Sequence, residues 1–273
     1  MRIGVVGLGL IGGSLALALR SRHEVLGFDV DRSARDAARL GGIETVDTLG
    51  ALLPADAVVI ATPLAAVLGT LAALEPRAGG AVLIDVSSVR APVDAYARGD
   101  GGVRIVGMHP MAGRAARGFT AADPAVLAGR PFLIVPTARS DASAMSLAGR
   151  IAGDAGGVVT VCSAAEHDRI VAVTSALPLA IAAALGVAAS ETTPSLAPFA
   201  GPGLRDATRL AETPMELAEA ILLANAANVV AAIARLRALL DQLERAVAER
   251  DAGTVRELLA RAAAGRALLS EAR

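Results

Sequence analysis

The chain has 273 residues, and all 26 of its basic side chains are arginine. Without lysine there is no Schiff-base nucleophile, no pyridoxal-phosphate linkage and no P-loop cation, and the lone Cys162 rules out an internal disulfide or a multi-cysteine metal site. A net charge of −1, 2% aromatic content and three histidines (His23, His109 and His167) argue against a nucleic-acid or anionic-membrane partner and against a resident metal.

Hydrophobic residues make up 54% of the chain, enough for one large domain or two modest ones. The first half alternates strand and helix patterns. Ile3–Gly7 reads as a short buried strand, Leu10–Arg20 as a helix, Glu24–Asp29 as a second strand and Ser33–Leu40 as a second helix. Ala57–Ala61, Ala81–Asp85 and Arg104–Gly107 are three further strand-like runs. Such alternation predicts βαβ units and a doubly wound parallel sheet of Rossmann type, an α/β fold. Phe132–Val135 and Val158–Val161 extend the sheet, with a helix over Ser140–Ala152 between them. At Ser163-Ala-Ala-Glu166 a capping box opens a long helical region. The expected organisation is a dinucleotide-binding domain over 1–163 and an all-α substrate-binding and dimerisation domain over 164–273. Its alanine-rich helices have narrow apolar faces, so a homodimer through these helices is expected.

Three uncharged stretches, Ile3–Leu19, Thr174–Ser190 and Ala220–Ala234, fall short of the roughly 20 apolar residues that cross a bilayer. Buried helices account for them, and no leader pattern precedes them. A cytoplasmic protein without a membrane partner is the expectation.

Strand Ile3–Val6 runs into Gly7-Leu8-Gly9-Leu10-Ile11-Gly12, a GxGxxG turn in its proper strand–helix context. Gly7 permits the tight turn, Gly9 the approach of a pyrophosphate, and Gly12 close packing of helix on strand. Leu10 and Ile11 supply amides at the positive end of the helix. Asp29 closes the second strand, where a carboxylate binds adenosine ribose hydroxyls and repels a 2′-phosphate. NAD is therefore favoured, although the neighbouring Arg32 keeps NADP open. Thr62-Pro63, Ser88 and His109 follow three other strands, at the sheet edge where ligands bind. A histidine held between glycine and proline residues suits a fixed general base, and Ser88 could bind the same substrate hydroxyl.

Taken together, Gly7-Leu-Gly-Leu-Ile-Gly-Gly-Ser14, Asp85-x-x-Ser88-Val89 and Gly107-Met-His-Pro-Met-Ala-Gly113 resemble the prephenate and arogenate dehydrogenases of tyrosine biosynthesis. Glu166-His-Asp-Arg-Ile-Val-Ala172 resembles the segment that opens the family's helical domain, and Gly203-Leu-Arg-Asp-Ala-Thr-Arg209 its substrate-binding segment. The resemblance implies NAD-dependent oxidative decarboxylation of prephenate to 4-hydroxyphenylpyruvate. Hydride leaves the carbinol carbon, His109 takes the hydroxyl proton with help from Ser88, and carbon dioxide departs as the ring becomes aromatic. It also implies that Arg209, with Arg205 as a second candidate, binds a substrate carboxylate. His167 is expected to be structural, fixing the domain junction.

The chain departs from the pattern where the family reads Ser-His-Leu-Pro-His. Here the residues are Ser175-Ala176-Leu177-Pro178-Leu179, so Ser175 alone keeps a polar group for the substrate. That departure leaves arogenate open as the substrate, and a non-catalytic NAD-binding protein as a further alternative. The 3-hydroxyacid dehydrogenases, which use a lysine base, fit poorly with a chain that has none.

Overall fold

The computed structural model describes residues 1–114, 116–192 and 197–270. Eight strands form one sheet in the order β3-β2-β1-β4-β5-β6-β7-β8. They are β1 Arg2–Val6, β2 Glu24–Phe28, β3 Glu44–Thr45, β4 Ala57–Ile60, β5 Val82–Asp85, β6 Ile105–Pro110, β7 Pro131–Pro136 and β8 Val158–Val161. Neighbours run parallel except β6 and β7, which are antiparallel. The chain leaves β1 toward β2 on one side, and β4 flanks β1 on the other. This is the reversal of strand order that opens a crevice at the carboxyl ends of the strands.

Strands β4 and β5 are buried at every position because helices cover both faces of the sheet. One face packs α1 (Leu10–Leu19) and α5 (Ala142–Asp154) through Leu15, Leu19, Ala148 and Ile151 onto Ile3, Met108 and Phe132. The other packs α3 (Leu64–Leu74) and α4 (Ala91–Ala97) through Val67, Leu71, Leu74 and Val93 onto Val58, Ile60 and Leu83. Asp31 caps α2 (Arg32–Leu40) by accepting from the Ser33 amide, and Asp141 caps α5 through the Ala144 amide. The Ser163 hydroxyl caps α6 (Ala164–Val171) by accepting from the Glu166 amide, as the capping box predicts.

The structure changes the expected elements in two places. A short edge strand, β3, follows α2. Strand β6 does not end at Gly107 but continues through His109 and Pro110, because β7 pairs against it in antiparallel register, His109 opposite Leu133. Across the connection between α1 and β2, His23 Nε2 lies 2.9 Å from Asp154 Oδ2, tying that connection to the end of α5.

Beyond β8 the described chain is helical: α6, a π-helical turn over Ala172–Ala176, α7 (Leu177–Thr192), α8 (Pro202–Thr208), α9 (Met215–Ala224), α10 (Ala226–Ala248) and α11 (Ala252–Ser270). The π turn has a local cause: Pro178 has no N–H for the Thr174 carbonyl and its ring crowds that oxygen, so the helix widens there. The chain divides into two compact units, Met1–Ala226 and Ala227–Arg273. The first runs past residue 163 because α6 packs on β7 and α4 and is hydrogen-bonded to the start of α4.

The apolar stretches resolve differently from one another. Residues 10–19 form a mostly buried core helix. The continuous helix Ala164–Thr192 is long and apolar enough to cross a membrane, with a mean hydropathy of 2.2 in its most apolar window. Only 28% of that window is buried within the chain, so the expectation of a buried helix over 174–190 does not hold for one chain alone. Val173 and Val187 are each more than half exposed (53% and 54%).

Candidate active site

The glycine turn after β1 has the geometry that its sequence predicts. Gly7 has φ +90°, and a Cβ there would lie 2.6 Å from the Ala61 carbonyl oxygen. A Cβ on Gly12 would lie 1.8 Å from the Gly7 carbonyl oxygen. At Gly9 a Cβ would meet nothing within 4 Å, so open space lies in front of the first turn of α1. The Leu10, Ile11 and Gly12 amides open α1 there without intrahelical partners. Asp29, just past β2, accepts the Leu8 amide on Oδ2 at 2.7 Å and the Asp31 amide on Oδ1 at 2.9 Å. Its carboxylate is thus held against the glycine turn. Thr62, after β4, has a buried hydroxyl with no hydrogen-bond partner among the described residues, and Pro63 stands at the N-terminal boundary of α3. A cradle open at Gly9, a fixed carboxylate and an orphaned hydroxyl at the crevice fit a dinucleotide. Arg32, which kept NADP open, is exposed and lies 3.6 Å from Asp36.

The β5 end is tied down by a buried cluster. Asp85 is wholly buried and Arg90 is 2% exposed. Arg90 Nη2 lies 2.6 Å from Asp85 Oδ2, and Arg90 also donates to the Asp85 and Ser87 carbonyls. Ser87 donates to Asp85 as well. The Arg90 guanidinium occupies the room left by Gly107, where a Cβ would come within 2.5 Å of Nη1. Ser88, within this loop, is half-buried, and its hydroxyl has no partner among the described residues.

His109 sits half-buried on β6. Its Nδ1 lies 2.9 Å from His167 Nε2, and His167 Nδ1 lies 2.8 Å from Asp168 Oδ1. His167 is fully buried, and the Asp168 carboxylate also accepts the Arg90 amide at 2.8 Å and the Ala91 amide at 2.9 Å. Asn225 donates to the Asp168 carbonyl at 2.6 Å. Desolvation, then the charges of His167 and Arg90, hold the His109 pKa well below the ordinary imidazole value. Burial pushes the Asp168 carboxyl up, but hydrogen bonds from His167 and the Arg90 and Ala91 amides outweigh it, so its pKa lies below the usual value. The pair His167 and Asp168 is what sequence reasoning missed. The signal was present in Glu166-His-Asp168 on the first turn of α6, but nothing local says that this turn meets β6.

The expected substrate residues are placed as follows. Ser175 is half-buried in the π turn, with no partner among the described residues. Arg209 is exposed, at the start of a 3-10 turn over Arg209–Glu212 that packs on α7. Arg205 is exposed on α8, with Nε donating to the Ala200 carbonyl at 3.1 Å. Ala176 and Leu179 are buried, at 1% and 6% exposure. Among the described residues, no group of three or more His, Cys, Asp or Glu side chains could hold a metal.

Two family models match the chain. One, described as prephenate dehydrogenase, nucleotide-binding domain, covers residues 15–161, and the other, prephenate dehydrogenase, dimerization domain, covers 163–261. A cyclohexadienyl dehydrogenase of Zymomonas mobilis subsp. mobilis is 32% identical over 262 residues, 91% of this chain and 89% of that one. The chain belongs to the prephenate dehydrogenase family. Two solved members superpose along most of its length. The prephenate dehydrogenase of A. aeolicus, solved with hydroxyphenyl propionate and NAD+, gives a TM-score of 0.91 at 28% identity over 98% of both chains. The Synechocystis arogenate dehydrogenase gives 0.84 at 29% identity, over 98% of this chain and 100% of that one. The nucleotide-binding match begins at residue 15, past the glycine turn, so the geometry of Gly7, Gly9 and Gly12 stands on its own beside it.

Proposed function

We propose that the chain catalyses NAD-dependent oxidative decarboxylation of prephenate to 4-hydroxyphenylpyruvate, in the cytoplasm. The observation that carries this reading is a half-buried histidine of depressed pKa at the carboxyl end of β6, on the same sheet edge as the glycine turn that follows β1, in a chain of this family. Residues 1–163 bind the cofactor and 164–273 supply substrate contacts and the dimer interface.

Gly7, Gly9 and Gly12, with the Leu10 and Ile11 amides, hold the pyrophosphate, and Asp29 binds the adenosine ribose. Thr62 and Pro63 border the nicotinamide end. When bound, NAD supplies the acceptor for the hydride that leaves the carbinol carbon. His109 takes the carbinol proton on Nε2, steadied by Ser88. As carbon dioxide leaves and the ring becomes aromatic, His109 returns that proton to the phenolate oxygen. The base therefore carries a charge only between the two transfers, and its neutral resting state suits it to this task. Arg209, with Arg205 and Ser175, holds the substrate carboxylates. No lysine competes for that role.

The exposed apolar side of Ala164–Thr192, in a segment matched by the dimerization-domain model, supports a second copy of the chain as its cover. Light scattering on the purified protein, giving twice the 27.3 kDa chain mass, checks this. Turnover is tested with purified protein, prephenate or arogenate, and NAD or NADP, following reduced nicotinamide. Prephenate with NAD is expected to give the highest kcat/KM. Turnover of arogenate alone would move the reading to arogenate dehydrogenase, and no turnover of either by folded protein would refute it.

A further inference from the structure

Asp168 is the fixed point of the array around His109. Its carboxylate accepts two backbone amides and faces His167 Nδ1 at 2.8 Å. An ionised carboxylate has no proton to donate, so His167 must carry hydrogen on Nδ1. A neutral His167 then has a bare Nε2, which can only accept. That nitrogen lies 2.9 Å from His109 Nδ1, so His109 must in turn carry its proton on Nδ1. The consequence is a bare Nε2 on His109, the nitrogen with no partner among the described residues.

We propose that His167 and Asp168 are positioning residues that set the His109 tautomer, leaving Nε2 unprotonated toward the substrate hydroxyl. The ring contact supports an orienting role too: the imidazole centroids are 5.1 Å apart with planes tilted by 58°. Asp168 also holds the Arg90 and Ala91 amides beyond the loop that carries Ser88. One carboxylate thus fixes the base on β6 and anchors the chain just past its hydroxyl partner. When His109 holds the carbinol proton, its positive charge faces His167, whose far nitrogen is bonded to the Asp168 anion. The inference rests on the proposed dehydrogenase reaction for its kinetic test and on nothing but the chain for its spectroscopic one.

The spectroscopic test is nitrogen-15 NMR of imidazole-labelled protein without ligands. Only three histidines need assignment, which His23→Gln and His167→Gln settle. The expected pattern is protonated Nδ1 and bare Nε2 on both His109 and His167 at neutral pH. A His109 protonated on Nε2 would overturn the proposal.

The kinetic test compares His167→Leu, His167→Gln and Asp168→Asn with wild type on prephenate and NAD. A glutamine oxygen can accept from His109 Nδ1, so His167→Gln should keep kcat within about tenfold of wild type. His167→Leu should lose about 10²–10⁴-fold, the range expected when a general base is disabled. Asp168→Asn should lose a similar factor, because an amide donor turns His167 over. KM for prephenate and NAD affinity should stay within about twofold in all three, whereas a merely structural defect would move them together with kcat. Equal kcat in His167→Leu and wild type would overturn the proposal while leaving the reaction intact. If wild type turned over neither substrate, the reaction would fall and the NMR pattern would decide the tautomer alone.

Discussion

Gly9 and Gly12 stand three residues apart in one turn, yet their alanine variants should fail in opposite ways. At Gly12 an added Cβ would lie 1.8 Å from the Gly7 carbonyl oxygen and 3.0 Å from Ala61 Cβ. The first turn of α1 would have to retreat by roughly 1.5 Å to restore ordinary contact. Leu15, Ala16 and Leu19 on the same helix are wholly buried, so the retreat disturbs the sheet-facing core. Overpacking of this kind costs about 1–3 kcal/mol. For a chain of this size each kcal/mol is worth about 2–4 °C, so Tm should fall by about 2–12 °C. At Gly9 the backbone is extended (φ −77°, ψ −158°), open to any residue, and the Cβ meets nothing. Gly9→Ala should therefore melt at the wild-type temperature or slightly above, since the unfolded chain loses freedom worth about 0.4–1 kcal/mol. The new methyl instead occupies the space a pyrophosphate must enter, and NAD affinity should drop at least about tenfold, or ~1.4 kcal/mol. The assay is thermal unfolding with and without NAD. At a concentration near 100 times the wild-type Kd, NAD adds about 2.7 kcal/mol to wild type and about half of that to Gly9→Ala. Unaltered NAD stabilisation of Gly9→Ala would refute the assignment of that space to the cofactor. A low Tm for Gly9→Ala would refute the packing argument.

Four other outcomes follow from the site. His109 must be neutral to act, and its pKa is held well below about 6.5, so kcat/KM should stay level as pH falls through that value and turn down only further on. An acid limb centred at or above it would contradict the assignment. The same depression makes the unfolded chain bind this proton first, so this group's effect is a loss of stability as pH falls below about 6.5 toward the folded pKa, measurable in denaturant melts across that window. Arg90→Met strands the wholly buried Asp85 without its cation and should lower unfolding free energy by about 3–5 kcal/mol, with a loss under about 1 kcal/mol counting against the pairing. Arg209→Gln should raise KM for prephenate about tenfold or more while NAD affinity holds, and an unchanged KM would remove Arg209 from the substrate site.

What the sequence made legible was local. The glycine turn is read in six consecutive residues because the positive φ of Gly7 and the approach of Gly12 to the Gly7 carbonyl arise within one strand–turn–helix unit, although Ala61, at the end of the neighbouring strand, presses on both positions as well. The parallel strands are read from short β-branched runs because burial on both faces permits little else. The capping box at Ser163 is read because cap and amide are three residues apart. The misses are all long-range. Strand β6 ran past its predicted end because a partner 24 residues later in the chain, Leu133, pairs with His109 in antiparallel register. The exposed side of Ala164–Thr192 was misjudged because helical spacing reports an apolar face without saying which molecule covers it.

His167 shows the same limit at the site itself. Fifty-eight residues separate it from His109, and neither segment carries a sign of the other. Its presumed structural role and its observed contact share one cause. A side chain that anchors α6 beneath β6 also touches whatever β6 presents to the crevice. In a chain with three histidines, two of them meet in one hydrogen bond with a buried carboxylate behind them. Burying that carboxylate raises its pKa unless its hydrogen bonds prevail, and here they do. The Asp168 carboxylate anchors α6 to α4 through the Arg90 and Ala91 amides whether or not an imidazole stands beside it, so His167, interposed between that carboxylate and His109, is better explained by what it does to His109 than by what it does for the anchor.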